Sequence, residues 1–222
     1  AEVAVAARRH AVLNPAAQMR DPITVDDVLS SRLIADPLHL LDCSLVSDGG
    51  AAIILTSSEK AKDFQHAPVY LLGAGEGHSH EHVSQAKSLT TSAAKESGDL
   101  AYEMAGLSAS DIDFAQLYDC FTPTVIIELE DLGFCGKGEG GAYVEGNRLG
   151  PGGELPVNTH GGLLSHSHSG NPGSLFAVTE TAQQLRGDLG DRQISGARVG
   201  LVHGQGGIMS SHTTLIFGSE GN

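Results

Sequence analysis

The stretch FAQLYDCFTPTVIIELEDLG, residues 114–133, decides the fold class. Its apolar beginning runs into Tyr118-Asp119-Cys120, which is typical of a buried strand that ends in a turn. Thr122-Pro123 fits a helix start, because proline is favoured in the first helical turn, and Gly133 fits the helix end. Ligands bind at such strand-to-helix transitions in α/β sheets, where polar side chains and free amides converge. A capped turn with a buried tyrosine and cysteine is the simpler interpretation.

The segments on either side continue this alternation. Turn residues, helix caps and short apolar runs divide the chain into further elements. The sequence predicts helices over residues 1–14, 25–32, 58–66, 91–107 and 174–186, and strands over 51–55, 69–75, 197–202 and 212–217. The order predicts an α/β layered fold, in which helices flank a mixed sheet. We expect a five-stranded sheet in residues 68–222, and residues 45–57 as a strand of a second, incomplete sheet. The apolar run 51–55 lacks polar alternation, so we expect it to be covered on both sides.

Composition excludes several classes of protein. Of 222 residues, 40 % are hydrophobic and 18 % charged, which is enough for a packed core and argues against disorder. The formal charge of -14 argues against a nucleic-acid partner, which requires a basic surface. The sequence contains no apolar run of the roughly 18–20 residues that a membrane helix needs. The first ten residues lack the pattern of a secretion signal. The three cysteines are an odd number, which makes a disulfide framework a poor explanation for them and favours a reducing compartment. We therefore expect a cytoplasmic protein.

Three histidine-bearing segments are candidates for chemistry. Residues 158–170, NTHGGLLSHSHSG, combine glycines that allow close backbone approach with histidines that titrate near neutral pH. Residues 202–207, VHGQGG, place a histidine and exposed amides at a strand end, where such amides stabilise an oxyanion. A solvated loop and an ordinary hairpin turn are the alternatives. The alternating histidines of residues 78–82 could meet at a metal, but a plain loop is the stronger interpretation, and we expect no metal site.

Four motifs of the sequence together resemble the thiolases, in particular their sterol-carrier and lipid-transfer-protein branch. They occur in the family's order and span about residues 20–218. The motifs are Ser47-Asp48-Gly49-Gly50-Ala51-Ala52, Tyr118-Asp119-Cys120-Phe121, Leu132-Gly133-Phe134-Cys135-Gly136-Lys137-Gly138-Glu139-Gly140 and Gly161-Gly162-Leu163-Leu164-Ser165-His166-Ser167-His168.

The resemblance implies a thiolase-like fold of which only part is present. Residues 1–66 correspond to the end of the N-terminal thiolase half, with linker helices and its last strand, and residues 67–222 to the C-terminal thiolase domain. The nucleophilic cysteine of a thiolase lies on a helix of the other half, and Cys43, Cys120 and Cys135 do not match it. The resemblance therefore implies a close partner, either a chain with the N-terminal half or another copy.

The resemblance also assigns roles to particular residues. Tyr118 stands where this branch has histidine, and His168 matches the catalytic histidine of the Gly-Gly motif. Val202 stands at the place of the acid/base cysteine, so that His203 would replace it as a base. Gly204 matches the glycine whose amide helps to bind an oxyanion, and Asp119 and Gly162 are expected beside it at the substrate.

These correspondences imply an enzyme that acts on coenzyme A thioesters, with acyl-CoA as substrate and no covalently bound cofactor. The first expectation is an acyltransferase of the acetyl-CoA acetyltransferase or 3-ketoacyl-CoA thiolase type, in lipid or steroid side-chain metabolism. The missing cysteine leaves a second expectation open, a retro-aldolase that cleaves β-hydroxyacyl-CoA side chains with a small partner carrying an OB-fold and a zinc ribbon. A non-catalytic thiolase-like scaffold subunit is the third.

Overall fold

The computed structural model describes residues 1–170 and 172–221, which form a layered arrangement of helices and strands. Its helices are α1 (Glu2–Val12), α2 (Val25–Ser30), α3 (Ser58–Ala61), α4 (Ala94–Ala105), α5 (Thr122–Asp131), α6 (Gly140–Tyr143) and α7 (Pro172–Arg186). Its strands are β1 (Leu33–Ala35), β2 (Leu38–His39), β3 (Tyr70–His78), β4 (Phe114–Gln116), β5 (Val199–Gly206) and β6 (Ser211–Gly218). None of the helices in the described ranges combines the length and apolarity needed to cross a bilayer.

The main sheet has four strands in the order β3-β6-β5-β4. Strands β4 and β5 are parallel, and the other pairs are antiparallel, so the mixed sheet of an α/β fold is confirmed. The predicted number of five strands is wrong. A fifth segment reaches β4 only through a single parallel bridge between Ala115 and Val157, because Asn158 leaves the extended conformation with a φ of 57°.

Helices cover both faces of this sheet, as predicted. On one face α4 lies so close to β3 that a Cβ at Gly73 or Gly75 would come within 2.1 Å of an α4 carbonyl oxygen. On the other face α7 packs against β5, where a Cβ at Gly204 would lie 3.3 Å from Ser174 Oγ. Side chains alternate along a strand, so this arrangement decides which residues of β5 face which helix layer.

The N-terminal helix forms part of the core. The alanine-rich α1 buries Val3–Ala7 and Ala11, and it packs against the segment Gly162–His166, which forms one turn of π-helix. Arg8, itself buried, donates from Nε to Ser165 Oγ at 2.9 Å. The predicted helix over residues 1–14 is confirmed, and so is the predicted helix after Thr24, whose side chain caps α2. These contacts attach the first 30 residues to the loop that carries His168.

The predicted strand over residues 51–55 is wrong. These residues have no regular secondary structure and no strand partner in the described part of the chain, and Ile54 and Leu55 are 87 % and 83 % exposed. An apolar run becomes a strand only where a neighbouring strand receives its backbone hydrogen bonds. The following helix α3 is also shorter than predicted, since it ends at Ala61 instead of near His66.

Candidate active site

Tyr118 and His168 meet at the carboxyl end of β4. The Tyr118 hydroxyl lies 3.2 Å from His168 Nε2, and the two rings stand edge to face, with centroids 6.0 Å apart. The Tyr118 backbone amide is held by Glu128 of α5, whose Oε2 accepts its hydrogen bond at 3.0 Å. Both side chains of the pair are half-buried. Fifty residues of chain separate them, so the contact is made by the tertiary fold, and their predicted convergence is confirmed.

The segment Ser44–Ser47 supports His168, and only its last residue belongs to a motif that the sequence indicated. Ser44 Oγ lies 2.8 Å from His168 Nδ1, and the Ser44 amide donates to Cys120 O at 2.9 Å. Ser47 makes two bonds to the His168 backbone, with its amide donating to the carbonyl and its Oγ accepting from the amide. The sequence feature that could have indicated Ser44 is its position, three residues upstream of the Ser47-Asp48-Gly49-Gly50 motif.

Burial sets the protonation of this pair at neutral pH. Burial lowers the pKa of the His168 imidazole below 6.5, which favours the neutral ring. Burial, and then the nearby Cys120, Glu128 and Asp119, raise the pKa of the Tyr118 phenol above 10. A neutral imidazole therefore lies next to an intact phenol, and a proton can pass from the phenol oxygen to the ring nitrogen.

Asp119 shapes the loop that carries His168. Its buried carboxylate accepts hydrogen bonds from the amides of Leu163, at 2.7 Å, and Leu164, at 3.3 Å. Burial raises the pKa of Asp119 to about 6, although these backbone bonds act in the opposite direction. A Cβ at Gly162 would come within 2.0 Å of the same carboxylate, and the φ of 64° at this residue also favours glycine. Asp119 and Gly162 thus pack against each other beneath the loop, and their expected place at the substrate stays a prediction.

We expect Asp119→Ala to lower the free energy of unfolding by about 2–4 kcal/mol, because it leaves buried amides of the 161–166 loop without an acceptor. Urea denaturation followed by circular dichroism measures this. Asp99→Ala is the matched control, since Asp99 forms an exposed ion pair with Lys95 and its loss should change stability by less than about 0.5 kcal/mol. Equal stability of the two variants would contradict the assigned role of Asp119.

His203 does not join Tyr118 and His168. As an odd-numbered residue of β5 it points to the face covered by α4, together with Thr214, and it is 2 % exposed. Its Nδ1 lies 2.8 Å from Thr214 Oγ1 and its Nε2 lies 3.0 Å from His212 Nδ1. Burial, and then His212, lower the pKa of His203 to about 3. The expected convergence of three residues is therefore wrong for His203, because strand alternation turns its side chain into the core.

Gly204 lies on the same side of the sheet as the pair. It faces Ser174 near the start of α7, and a Cβ at the neighbouring Gly173 would lie 3.6 Å from His168 Cδ2. The pairing of β5 with β4 ends at Val202, two residues before Gly204. The pairing of β5 with β6 continues through Gly204, which lies opposite Thr213, and the oxyanion role of Gly204 stays a prediction.

None of the three cysteines has the environment of a nucleophile. Burial raises the pKa of Cys43 and Cys135, and it raises the pKa of Cys120 to about 11. Cys120 Sγ accepts a hydrogen bond from Gln205 Nε2 at 3.4 Å, behind the turn that carries Tyr118. Since the thiolate is the reactive form, these thiols are weak nucleophiles at neutral pH.

The histidines of residues 78–82 do not form a metal centre. His78 Nδ1 lies 2.7 Å from Ser211 Oγ, and His80 Nδ1 lies 2.8 Å from Ser79 Oγ. Within residues 1–170 and 172–221, no three His, Cys, Asp or Glu side chains are grouped in a way that could hold a metal ion.

Comparison with known proteins identifies the family. The family described as "Thiolase C-terminal domain-like" matches residues 75–219. The chain belongs to the thiolase superfamily. Sterol carrier protein 2 from several mammals is also similar to this thiolase chain, which places it in the sterol-carrier-protein branch. The layered sheet, the Tyr118 turn and the Gly161-Gly162 loop are thus parts of a thiolase fold.

The relatives of this thiolase chain carry names of two chemical classes. An acetyl-CoA acetyltransferase of Methanothermobacter thermautotrophicus is 37 % identical over 98 % of the chain and 57 % of its own length. A steroid side-chain-cleaving aldolase of Thermomonospora curvata is 41 % identical over 84 % of the chain and 50 % of its own length. The solved structure described as "Ltp2-ChsH2(DUF35) aldolase" superposes with a TM-score of 0.89 at 37 % identity, over 98 % of this chain and 57 % of that one. The chain therefore spans about half the length of these three proteins.

Proposed function

We propose that this chain carries the C-terminal domain of a thiolase-fold lyase that cleaves the Cα–Cβ bond of a β-hydroxyacyl-CoA by retro-aldol chemistry. The observation that carries the proposal is the Tyr118–His168 hydrogen bond of 3.2 Å at a site whose cysteine, Cys120, is held as a thiol. A retro-aldol reaction needs an acid/base pair and an oxyanion site, but no acyl-enzyme. Two similar proteins are named as aldolases.

In the proposed reaction the substrate hydroxyl gives its proton to the Tyr118 oxygen, while the Tyr118 proton moves to His168 Nε2. The oxygen electrons form a carbonyl, the Cα–Cβ bond breaks, and its electrons become the enolate of the acyl-CoA. The proton held by the pair then passes to the enolate carbon, which regenerates neutral His168. The products are a ketone or aldehyde and a shorter acyl-CoA, and no oxidant is required.

The enolate oxygen needs a donor near this pair. We assign this role to the Gly204 amide, because Gly204 and His168 both lie near the beginning of α7: a Cβ at Gly204 would be 3.3 Å from Ser174 Oγ, and a Cβ at Gly173 would be 3.6 Å from His168 Cδ2. A backbone amide is suited to the role because it costs no reorganisation when charge develops.

Acyl transfer is the second candidate, and the match to an acetyl-CoA acetyltransferase over 98 % of the chain favours it. This reaction would need a reactive thiol from outside the 222 residues, since the three cysteines here have raised pKa values. The contact between Tyr118 and His168 argues against the scaffold alternative, because a non-catalytic subunit does not need a phenol hydrogen-bonded to an imidazole.

We propose that residues 1–66 complete an N-terminal thiolase half and that residues 67–222 are the C-terminal domain. The exposed side chains of Ile54 and Leu55 support this division, because they would extend a sheet supplied by that half or by another copy of this chain. The name of the neighbouring aldolase structure includes a second component, ChsH2(DUF35), which supports a small additional subunit of the kind that the resemblance implied.

The two candidate reactions differ in their products. The protein, isolated in its native assembly, is incubated with a β-hydroxyacyl-CoA and, separately, with a 3-ketoacyl-CoA plus free coenzyme A. The lyase releases a carbonyl product and an acyl-CoA in equal amounts, without consuming coenzyme A and without an acyl-cysteine adduct in mass spectrometry. Coenzyme A-dependent cleavage with an acylated cysteine would overturn the proposal in favour of acyl transfer.

A further inference from the structure

Ser44 contacts the His168 ring at the nitrogen that Tyr118 does not contact. Its Oγ lies 2.8 Å from His168 Nδ1, while Tyr118 lies 3.2 Å from Nε2, so the imidazole is held between two hydroxyl groups. Ser44 is fixed by its backbone amide, which donates to Cys120 O in the turn that carries Tyr118. The next residue, Leu45, donates to Leu163 O in the His168 loop. The position of the Ser44 hydroxyl is thus fixed by hydrogen bonds to two loops, the turn that carries Tyr118 and the loop that carries His168.

The two hydroxyl partners of the His168 ring favour one position of its proton. The phenol of Tyr118 is protonated at neutral pH, because burial and nearby acidic groups raise its pKa. Within the described residues, the acceptor of its proton is His168 Nε2. If the phenol donates to the Nε2 lone pair, the proton of the neutral ring resides on Nδ1, 2.8 Å from Ser44 Oγ, which can accept it.

We propose that Ser44 is a positioning residue that holds His168 as the Nδ1–H tautomer, with the Nε2 lone pair directed at Tyr118. When Nε2 receives the phenol proton, the ring becomes an imidazolium with both nitrogens protonated. Ser44 Oγ then accepts a charge-assisted hydrogen bond from Nδ1, which is stronger than the bond to the neutral ring. The effect on turnover rests on the proposed function, whereas the effect on the tautomer does not.

The tautomer is measured directly by 15N NMR of the imidazole nitrogens in the 222-residue chain. The chain has eleven histidines, and the His168 signals are assigned by their loss in His168→Gln. We expect a protonated Nδ1 and an unprotonated Nε2 in the unchanged protein. Ser44→Ala removes the acceptor and leaves the Ser44 backbone bond intact, so we expect the protonated Nε2 form to become populated.

In the native assembly, Ser44→Ala should lower kcat about 10- to 100-fold with little change in KM, as expected for loss of a hydrogen bond to a group that becomes charged. Ser44→Thr keeps the hydroxyl and should retain both the tautomer and most of kcat. Ser30→Ala is the matched control, because Ser30 is exposed at the end of α2. If Ser44→Ala unfolds, Ser44→Cys, a weaker acceptor of similar size, should give the same change in smaller degree.

The outcomes separate the two proposals. A Ser44→Ala protein that keeps the Nδ1–H tautomer overturns the positioning role, and so does a Ser44→Thr protein that behaves like Ser44→Ala. Suppose that Ser44→Ala changes the tautomer, but that the unchanged protein in its native assembly does not cleave β-hydroxyacyl-CoA. This result supports the role of Ser44 and overturns the lyase assignment instead.

Discussion

Tyr118→Phe is expected to lower kcat for β-hydroxyacyl-CoA cleavage by roughly 10²–10⁴-fold, the usual effect of losing a general acid/base. The change removes only the hydroxyl that lies 3.2 Å from His168 Nε2. The aromatic ring, the edge-to-face contact and the backbone bond to Glu128 are retained. Steady-state kinetics in the native assembly measure the effect, and we expect substrate binding to change little.

Tyr102→Phe is the matched control for this variant. The Tyr102 hydroxyl donates to Leu132 O at 3.1 Å, between α4 and the end of α5, away from His168. Its loss should cost about 1 kcal/mol of stability and leave kcat unchanged. A folded Tyr118→Phe protein with the kcat of the unchanged protein would remove the phenol from the reaction.

His168→Ala should also reduce turnover by roughly 10²–10⁴-fold, because the phenol loses the base that receives its proton. Burial lowers the pKa of His168, so the neutral, active ring is present above its pKa and is lost as the pH falls through it. In the unchanged protein, kcat/KM should therefore decline on the acid side at a pH below 6.5. The alanine variant should lack this decline, and added imidazole should restore part of its activity.

His66→Ala serves as the control for His168→Ala, since His66 is exposed and lies outside the site. It should keep both the rate and the pH profile. An active His168→Ala protein with an unchanged acid limb would show that another group accepts the proton, whatever the family motif implies.

Local patterns predicted most of the regular elements. Thr122-Pro123 and Gly133 marked the two ends of α5, which the structure has within a few residues, because capping and proline geometry act over one turn of chain. The order of the four motifs was sufficient to identify the family and to select Tyr118 and His168.

Residues 51–55 and His203 show where local patterns failed. The apolar run Ala51–Leu55 has the composition of a buried strand, yet strand formation depends on a neighbour that the described chain does not supply. His203 belongs to a glycine-rich strand end, which is typical of a catalytic site. The register of β5 against β6, however, turns its side chain toward Thr214 and the core.

The sequence by itself determined the α/β class, the thiolase membership and the two side chains that meet at the site, because these depend on residue type and order along the chain. Only the tertiary structure decided that Ser44 holds His168, that Asp119 supports the loop from behind, and that His203 is buried. These three facts depend on contacts between residues 44 to 124 positions apart, or on the face of a strand, and hydrogen-bond geometry over such separations is fixed only when the layers pack.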